Sequence, residues 1–308
     1  MKWGIIGAMP SEVEVLKQQM EDLNEIKVGR LLFWEGILCG QEAVVCCCGI
    51  GKVNAAITTQ MMIDRFEVER IINTGIAGAV HHDLKVLDVV ISRELCYHDF
   101  NARFLCDYPP YIDGIHASEL MVESAVEAFQ QIDHGSSCCF VGKIATGDQF
   151  ISSESYVKEL QTKFDALACE MEGASVARVA DEFHVPCAIL RCMSDKADGI
   201  AHDTYAFNYT EASNTSASVV KEMLNTIAKD RVALPAAKDV ATKDTTPRTA
   251  IISAMSVELK ALVDAADIQK ETVIGSKTYY VGKLNGEDVV LVPVSYTHLR
   301  AHETLRHL

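Results

Sequence analysis

Positive charge is the first thing this sequence lacks. It carries 28 Lys and Arg against 43 Asp and Glu, a net charge of −15. A nucleic-acid partner needs a basic face to neutralise phosphates, so that class is excluded, while a small anionic ligand bound locally is not. Long apolar runs are also missing: nothing approaches the roughly 20 residues that cross a bilayer, so no membrane partner is expected. The opening Met1-Lys2-Trp3-Gly4-Ile5-Ile6-Gly7 has one charge and an apolar run broken by glycine. That is not the layout of a secretory leader, and we expect a cytoplasmic protein. There are 11 cysteines but no C-x-x-C spacing, which argues against zinc ribbons and disulfide frameworks. Most lie in apolar runs such as Val44-Val45-Cys46-Cys47-Cys48, where a thiol serves as a small core residue in a reducing compartment.

What is present is ample apolar mass. Of 308 residues, 49% are hydrophobic and 23% charged, the balance of a folded globular protein with a large core. Through the first ~230 residues, two-residue and four-residue periods alternate, as in an α/β chain. Strands are expected at Trp3–Ala8, Leu31–Ile37, Glu42–Cys48, Arg70–Thr74, Val86–Ser92, Ser137–Ala145, Ala166–Glu170 and Pro186–Met193. Helices are expected at Ser11–Met20, from Gly51 to Met62, and at Ser118–Gln130, Ser153–Phe164, Gly173–Phe183 and Glu211–Ile227.

Residues 1–230 are therefore read as one domain. Residues 231–247, rich in Ala, Lys, Asp and Thr with two prolines, are read as a linker. A repeat follows. Ile251-Ile252-Ser253-Ala254-Met255 restates Ile5-Ile6-Gly7-Ala8-Met9, and Glu258, Leu262, Gly282 and Gly286 each lie 246 residues beyond Glu12, Leu16, Gly36 and Gly40. A constant offset without gaps marks residues 248–294 as the opening part of a second, truncated copy. Residues 295–308 have no counterpart in the first copy and are expected not to be native. His298, His302 and His307 lie there; a metal site needs a structured second shell, so no metal is assigned to them.

Five segments place unusual residues and turn glycines at strand ends, where open α/β sheets bind ligands. They are Gly7-Ala8-Met9-Pro10-Ser11-Glu12, Asn73-Thr74-Gly75-Ile76-Ala77-Gly78, Thr146-Gly147-Asp148-Gln149-Phe150, Glu170-Met171-Glu172-Gly173-Ala174 and Arg191-Cys192-Met193-Ser194-Asp195. Taken singly, each has a plain reading. Glu12 fits an exposed first-turn residue favoured by the helix dipole. Asp195 fits an N-cap. The two-residue spacing of Glu170 and Glu172 lets one of that trio face solvent. Arg191 inside an apolar strand is harder to read plainly, because a buried guanidinium needs a carboxylate.

Together and in this order, the segments resemble the nucleoside phosphorylase/nucleosidase superfamily, and within it the 5′-methylthioadenosine/S-adenosylhomocysteine nucleosidases. The resemblance covers about three quarters of the chain, and residues 251–294 resemble the start of the same family. It implies a three-layer α/β/α fold with a central mixed β-sheet, partly closed into a barrel. It implies hydrolysis of an N-glycosidic bond to release adenine, with no cofactor or metal, in a homodimer.

By the resemblance, Asp195 protonates N7 of the leaving adenine and Ser194 orients it. Glu12 activates the attacking water, Glu172 holds the ribose hydroxyls, and Arg191 supports the carboxylates. Met171 packs on the sugar, Phe150 stacks on adenine, and the Ile151 backbone reads its edge. Met9, Ile50 and Ile76 line the site, and Tyr205 stands where an aromatic caps the adenine or ribose. Glu12 also separates two activities. Phosphorylases place an arginine in the first glycine loop, whereas a carboxylate there repels phosphate, leaving water as the nucleophile. Two departures stand out: Ile76 replaces a common serine, and the chain after Tyr97-His98-Asp99 runs differently, which bears on the 5′-substituent pocket. The alternatives are a nucleosidase or phosphorylase for another purine nucleoside, such as a futalosine-type substrate, or a non-catalytic nucleoside-binding protein on the same fold.

Overall fold

The apolar opening run forms β1 (Lys2–Gly7), buried along its length except at Lys2, as an interior parallel strand requires. In this computed structural model, residues 1–108, 111–195, 205–230, 247–254, 256–274 and 277–293 are described. After β1 come α1 (Pro10–Lys17), β2 (Glu21–Val28), β3 (Leu31–Leu38), β4 (Gln41–Cys47), α2 (Lys52–Phe66), β5 (Arg70–Ala79) and β6 (Val89–Tyr97). Then follow α3 (Arg103–Cys106), β7 (Ile115–His116), α4 (Glu119–Gln131), β8 (Cys139–Thr146), α5 (Glu154–Phe164), β9 (Ala166–Glu170), α6 (Gly173–Glu182), β10 (Cys187–Asp195) and α7 (Tyr205–Asp230). The last elements are β11 (Thr249–Ser253), α8 (Ser256–Ala265), β12 (Asp267–Ile274), β13 (Lys277–Leu284) and β14 (Glu287–Pro293). Two units arise: Met1–Phe100 with Ile115–Val240, and Asn101–Gly114 with Ala241–Leu308.

In the first unit β1 lies between β4 and β5, parallel to both. β3 and β2 extend the sheet antiparallel beyond β4. On the other side β5 pairs with both β9 and β10. β9 pairs β8, β8 pairs β6, and β6 pairs β10, so β5, β9, β8, β6 and β10 form a closed ring. This is the mixed, partly barrel-like sheet expected. α1, α4 and α7 pack together, and their Val13, Leu16, Met121, Ala125, Met223 and Leu224 join Trp3, Ile5 and Val45 in the largest apolar cluster. α2 and α6 pack against each other.

Element boundaries differ where local signals are weak. The first helix stops at Lys17 rather than Met20, and Glu21–Val28 forms a strand the pattern did not predict. Its residues are mostly exposed on both faces, as an edge strand allows, so no alternation reveals it. The strand expected at Val86–Ser92 runs instead over Val89–Tyr97. Leu87 adopts a positive φ of 72° in the preceding turn, which a strand cannot continue through. The hairpin turn at Gly40 forms as expected, with Cys39 and Gly40 at φ 52° and 71°. All eleven cysteines are free thiols; Cys46, Cys48, Cys169, Cys187 and Cys192 are buried. Among the described residues, no helix is long and apolar enough to cross a membrane.

The second unit holds a four-stranded sheet in the order β11-β14-β13-β12 over a small core of Leu259, Val289 and Leu291. Thr249 pairs with Val289 as Trp3 pairs with Ala43, and Lys283 pairs with Asp288 as Ile37 pairs with Glu42. Residues 231–246 of the expected linker and all of 295–308, with His298, His302 and His307, lie outside the described residues.

Candidate active site

The strand ends of β1, β5, β9 and β10 converge on one buried cluster of charge. Glu12, in the first turn of α1, is 3% exposed, not the surface residue that helix-dipole logic alone suggests. Its Oε2 accepts the Ala8 and Met9 N–H groups at 2.6 and 2.9 Å, and its Oε1 accepts the Ile76 N–H at 3.0 Å. Three donors stabilise the anion, yet burial outweighs them and holds the carboxyl above its ordinary value. Gly75 makes this packing feasible: a Cβ there would sit 2.4 Å from Glu12 Oε1.

Arg191 lies in β10 and is 1% exposed. Its Nη2 donates to Asn73 Oδ1 at 2.6 Å and to Glu170 Oε2 at 2.5 Å, and lies 3.8 Å from Glu172 Oε2. Burial works to lower its pKa, but Glu170, Glu172 and Glu12 more than reverse this and raise it. Glu170 ends β9. It also accepts the Thr146 hydroxyl and the N–H groups of Glu172 and Gly173, at 2.9 and 2.6 Å for the latter two. Glu172 caps α6 and accepts the Gly51 N–H at 2.8 Å. Burial first, and the Glu170 charge second, push its carboxyl up to about 8. One guanidinium thus faces three buried carboxylates, so the cluster carries an excess of negative charge that burial makes costly.

Asp195 ends β10 beside Gly78, after a register shift at Met193, and is 8% exposed. Ser194 Oγ donates to Asp195 Oδ2 at 2.7 Å. Asp195, Phe150, Ile151, Met171, Gly78 and Glu170 line a cleft, together with Gln149 and Cys169. Phe150 is 64% exposed there, while Ile151 is buried. The glutamates on either side of Met171 are both buried, Glu170 as the last residue of β9 and Glu172 at the start of α6. Ile76 sends its side chain into the main apolar cluster and offers only its N–H to the site. Met9 caps α1, and its sulfur accepts the Tyr209 hydroxyl at 3.4 Å. Ile50, beside Gly51, is 53% exposed. Tyr205 opens α7, and its side chain lies outside what is described.

Sequence reasoning missed the roles of Glu170, Asn73 and Thr146. A signal for Glu170 existed: a lone arginine in an apolar strand demands a carboxylate, and Glu170 ends another strand of the same ring, on the far side of β5. The positions of Asn73 and Thr146 emerge only from strand pairing.

Residues 2–225 match the family model described as the Phosphorylase superfamily. The chain is 38% identical over 229 residues to the 5′-methylthioadenosine/S-adenosylhomocysteine nucleosidase of Staphylococcus carnosus, spanning 73% of this chain and 99% of that protein. It is 37% identical over 227 residues to the enzyme of the same name from Staphylococcus aureus strain Newman, at 72% and 98% coverage. Among solved structures, the nucleosidase of Neisseria meningitidis in complex with methylthio-immucillin-A superposes with a TM-score of 0.69 at 33% identity, covering 73% of this chain and 99% of that one. A mutant of the futalosine hydrolase of Helicobacter pylori superposes at 0.67 with 35% identity, over 73% and 99% of the two chains. Over its first ~229 residues, this chain belongs to the 5′-methylthioadenosine/S-adenosylhomocysteine nucleosidase family of the phosphorylase superfamily.

Proposed function

We propose that the chain hydrolyses the N-glycosidic bond of 5′-methylthioadenosine and S-adenosylhomocysteine, releasing adenine and the thioribose product. The observation that carries this reading is Glu12. A carboxylate held by three N–H groups occupies the first strand-end loop, at the heart of the buried cluster. A phosphate dianion is repelled there, and a water is not. With its pKa raised by burial, Glu12 is a stronger proton acceptor than an ordinary carboxylate. It takes the proton of the water whose oxygen attacks C1′. The C1′–N9 bond breaks through an oxocarbenium-like state, by analogy with O-glycoside cleavage. Adenine leaves with a proton delivered to N7 by Asp195, whose other oxygen is steadied by Ser194. Glu172 holds the ribose hydroxyls, Met171 packs on the sugar, and Phe150 stacks on the base, with the Ile151 backbone at its edge. Arg191 keeps the carboxylates assembled.

The test is adenine release from methylthioadenosine, with and without phosphate, in wild type and Asp195→Asn. Phosphate-independent release that collapses in the variant supports the hydrolase and its acid together. Strict phosphate dependence, or full activity in the variant, overturns the mechanism. Likeness to a futalosine hydrolase gives a second reading, release of the purine base from a futalosine-type nucleoside, which a substrate panel separates.

The same reading makes the protein a cytoplasmic homodimer. Ile50, Val53 and Ile57 expose an apolar stripe at helical spacing along the start of α2, and eleven unpaired thiols suit a reducing compartment. Sedimentation analysis reads the dimer. Residues 248–294 are a truncated second copy of the opening β-α-β-β-β unit. The matching strand register and the repeated positive-φ turn at Asn285-Gly286 support this.

A further inference from the structure

Lys52 sits at the first position of α2, where a cation opposes the helix dipole. A residue that breaks a local rule is a place to look for function. Its ammonium lies 2.7 Å from both oxygens of Asp99 and 3.5 Å from Asp148 Oδ2. Its backbone N–H donates to Asp148 Oδ1 at 2.9 Å, and the Asp148 N–H donates to Asp99 Oδ2 at 2.8 Å. One cation and two carboxylates therefore close a clasp over three loops: the β4–α2 turn, the turn after β6 and the turn after β8. The Lys52 and Asp99 side chains are 21% and 13% exposed, so solvent screens the pair only partly. Burial would raise the Asp99 pKa, but Lys52 and the Asp148 N–H hold it below the ordinary range.

The peptide next to this clasp is the one that touches the site. Gly51, at φ 103°, donates its N–H to Glu172 Oε1 at 2.8 Å. Only glycine adopts that φ readily, so the Gly51 peptide has conformational freedom that something must remove. Lys52 is anchored at both its backbone and its side chain, and this fixes the peptide.

We propose that Lys52 is a positioning residue for the reaction: its clasp with Asp99 and Asp148 holds the Gly51 N–H against Glu172, and thereby aims that carboxylate at the ribose hydroxyls. The proposal rests on the reading of Glu172 as the ribose-binding group. It predicts that Lys52 matters for substrates carrying those hydroxyls and not for the fold in general.

The experiment compares methylthioadenosine with its 2′,3′-dideoxy analogue in wild type, Lys52→Met, Lys52→Arg, Glu172→Gln and the Lys52→Met/Glu172→Gln double variant. Lys52→Met is expected to lose about 10- to 100-fold in kcat/KM on methylthioadenosine, the usual range for a group that orients a site ligand. On the dideoxy analogue it stays close to wild type. The double variant is no worse than Glu172→Gln, and Lys52→Arg, which keeps the cation on Asp99, recovers part of the loss. Equal losses on both substrates, additive losses in the double variant, or no loss at all overturn the proposal. Wild-type turnover of methylthioadenosine reads the functional assignment separately. Should wild type release no adenine, calorimetric binding of the two nucleosides to wild type and Lys52→Met makes the same comparison.

Discussion

Replacing Arg191 by methionine removes the one cation that, among the described residues, faces a buried cluster of three carboxylates. Arg191 is 1% exposed, and Glu12, Glu170 and Glu172 are 3%, 8% and 6% exposed, so none of the four recovers much water when the partner goes. Breaking a buried pair from one side costs about 3–5 kcal/mol, because it strands the opposite charge. For a domain of this size, 1 kcal/mol moves Tm by about 2–4 °C, so the variant is expected to melt roughly 6–20 °C below wild type near pH 8. The pH dependence is the sharper check. Burial already raises Glu12 and Glu172, the latter to about 8. A carboxyl raised in the folded state contributes stability that is full below its unfolded value and lost as pH rises through the folded one. Without Arg191 both values climb further, so the variant's deficit is larger at pH 8 than at pH 5. Thermal unfolding at both pH values measures it. A deficit under about 1 kcal/mol, or one independent of pH, would refute the account of the cluster as charge held by Arg191.

Gly75→Ala places a methyl group 2.4 Å from Glu12 Oε1, so adenine release should fall about 100-fold or more while the protein still folds; near-normal kcat would show that Glu12 tolerates displacement. Glu172→Gln removes a carboxyl whose ionisation costs the fold. It should melt with wild type at pH 4 and above it at pH 9, with adenine release reduced but still measurable; a lower melting point at pH 9 contradicts the raised pKa. A chain ending at Asp230 should keep full adenine release and gain solubility. The nucleosidase relatives match only the first part of the chain, and among the described residues β11 pairs with β14 alone. Loss of activity in that chain makes the second unit integral.

Much of the site could be read from the chain because its residues sit at strand ends in short, glycine-marked loops. Glu12, Glu172, Arg191, Ser194 and Asp195 lie in those loops and take their roles from the family resemblance; the structure brings them to one end of one sheet. What escaped was pairwise. Glu170 was visible as an acid but not as the partner of Arg191, because only the pairing of β9 and β10 to β5 brings the two together. The Lys52–Asp99 contact joins residues 47 positions apart, and no periodicity in either segment encodes it. β2 escaped because an edge strand wet on both faces has no apolar signature. Ile76 was read as a lining side chain, whereas its contribution is a backbone N–H, which no side-chain pattern can announce.

The closed ring of five strands also governs when the site can exist. Arg191 meets Asn73 across 118 positions of chain, and β5 gains its β10 neighbour only then. At about 5–20 residues per second, a ribosome takes roughly 6–24 s to cover that interval. Throughout it, β5 has an open apolar edge, and Glu12 has no cation to meet. Such long-range pairing folds slowly. The carboxylates stay hydrated until the arginine emerges, so charge neutralisation and ring closure become one late event in biogenesis.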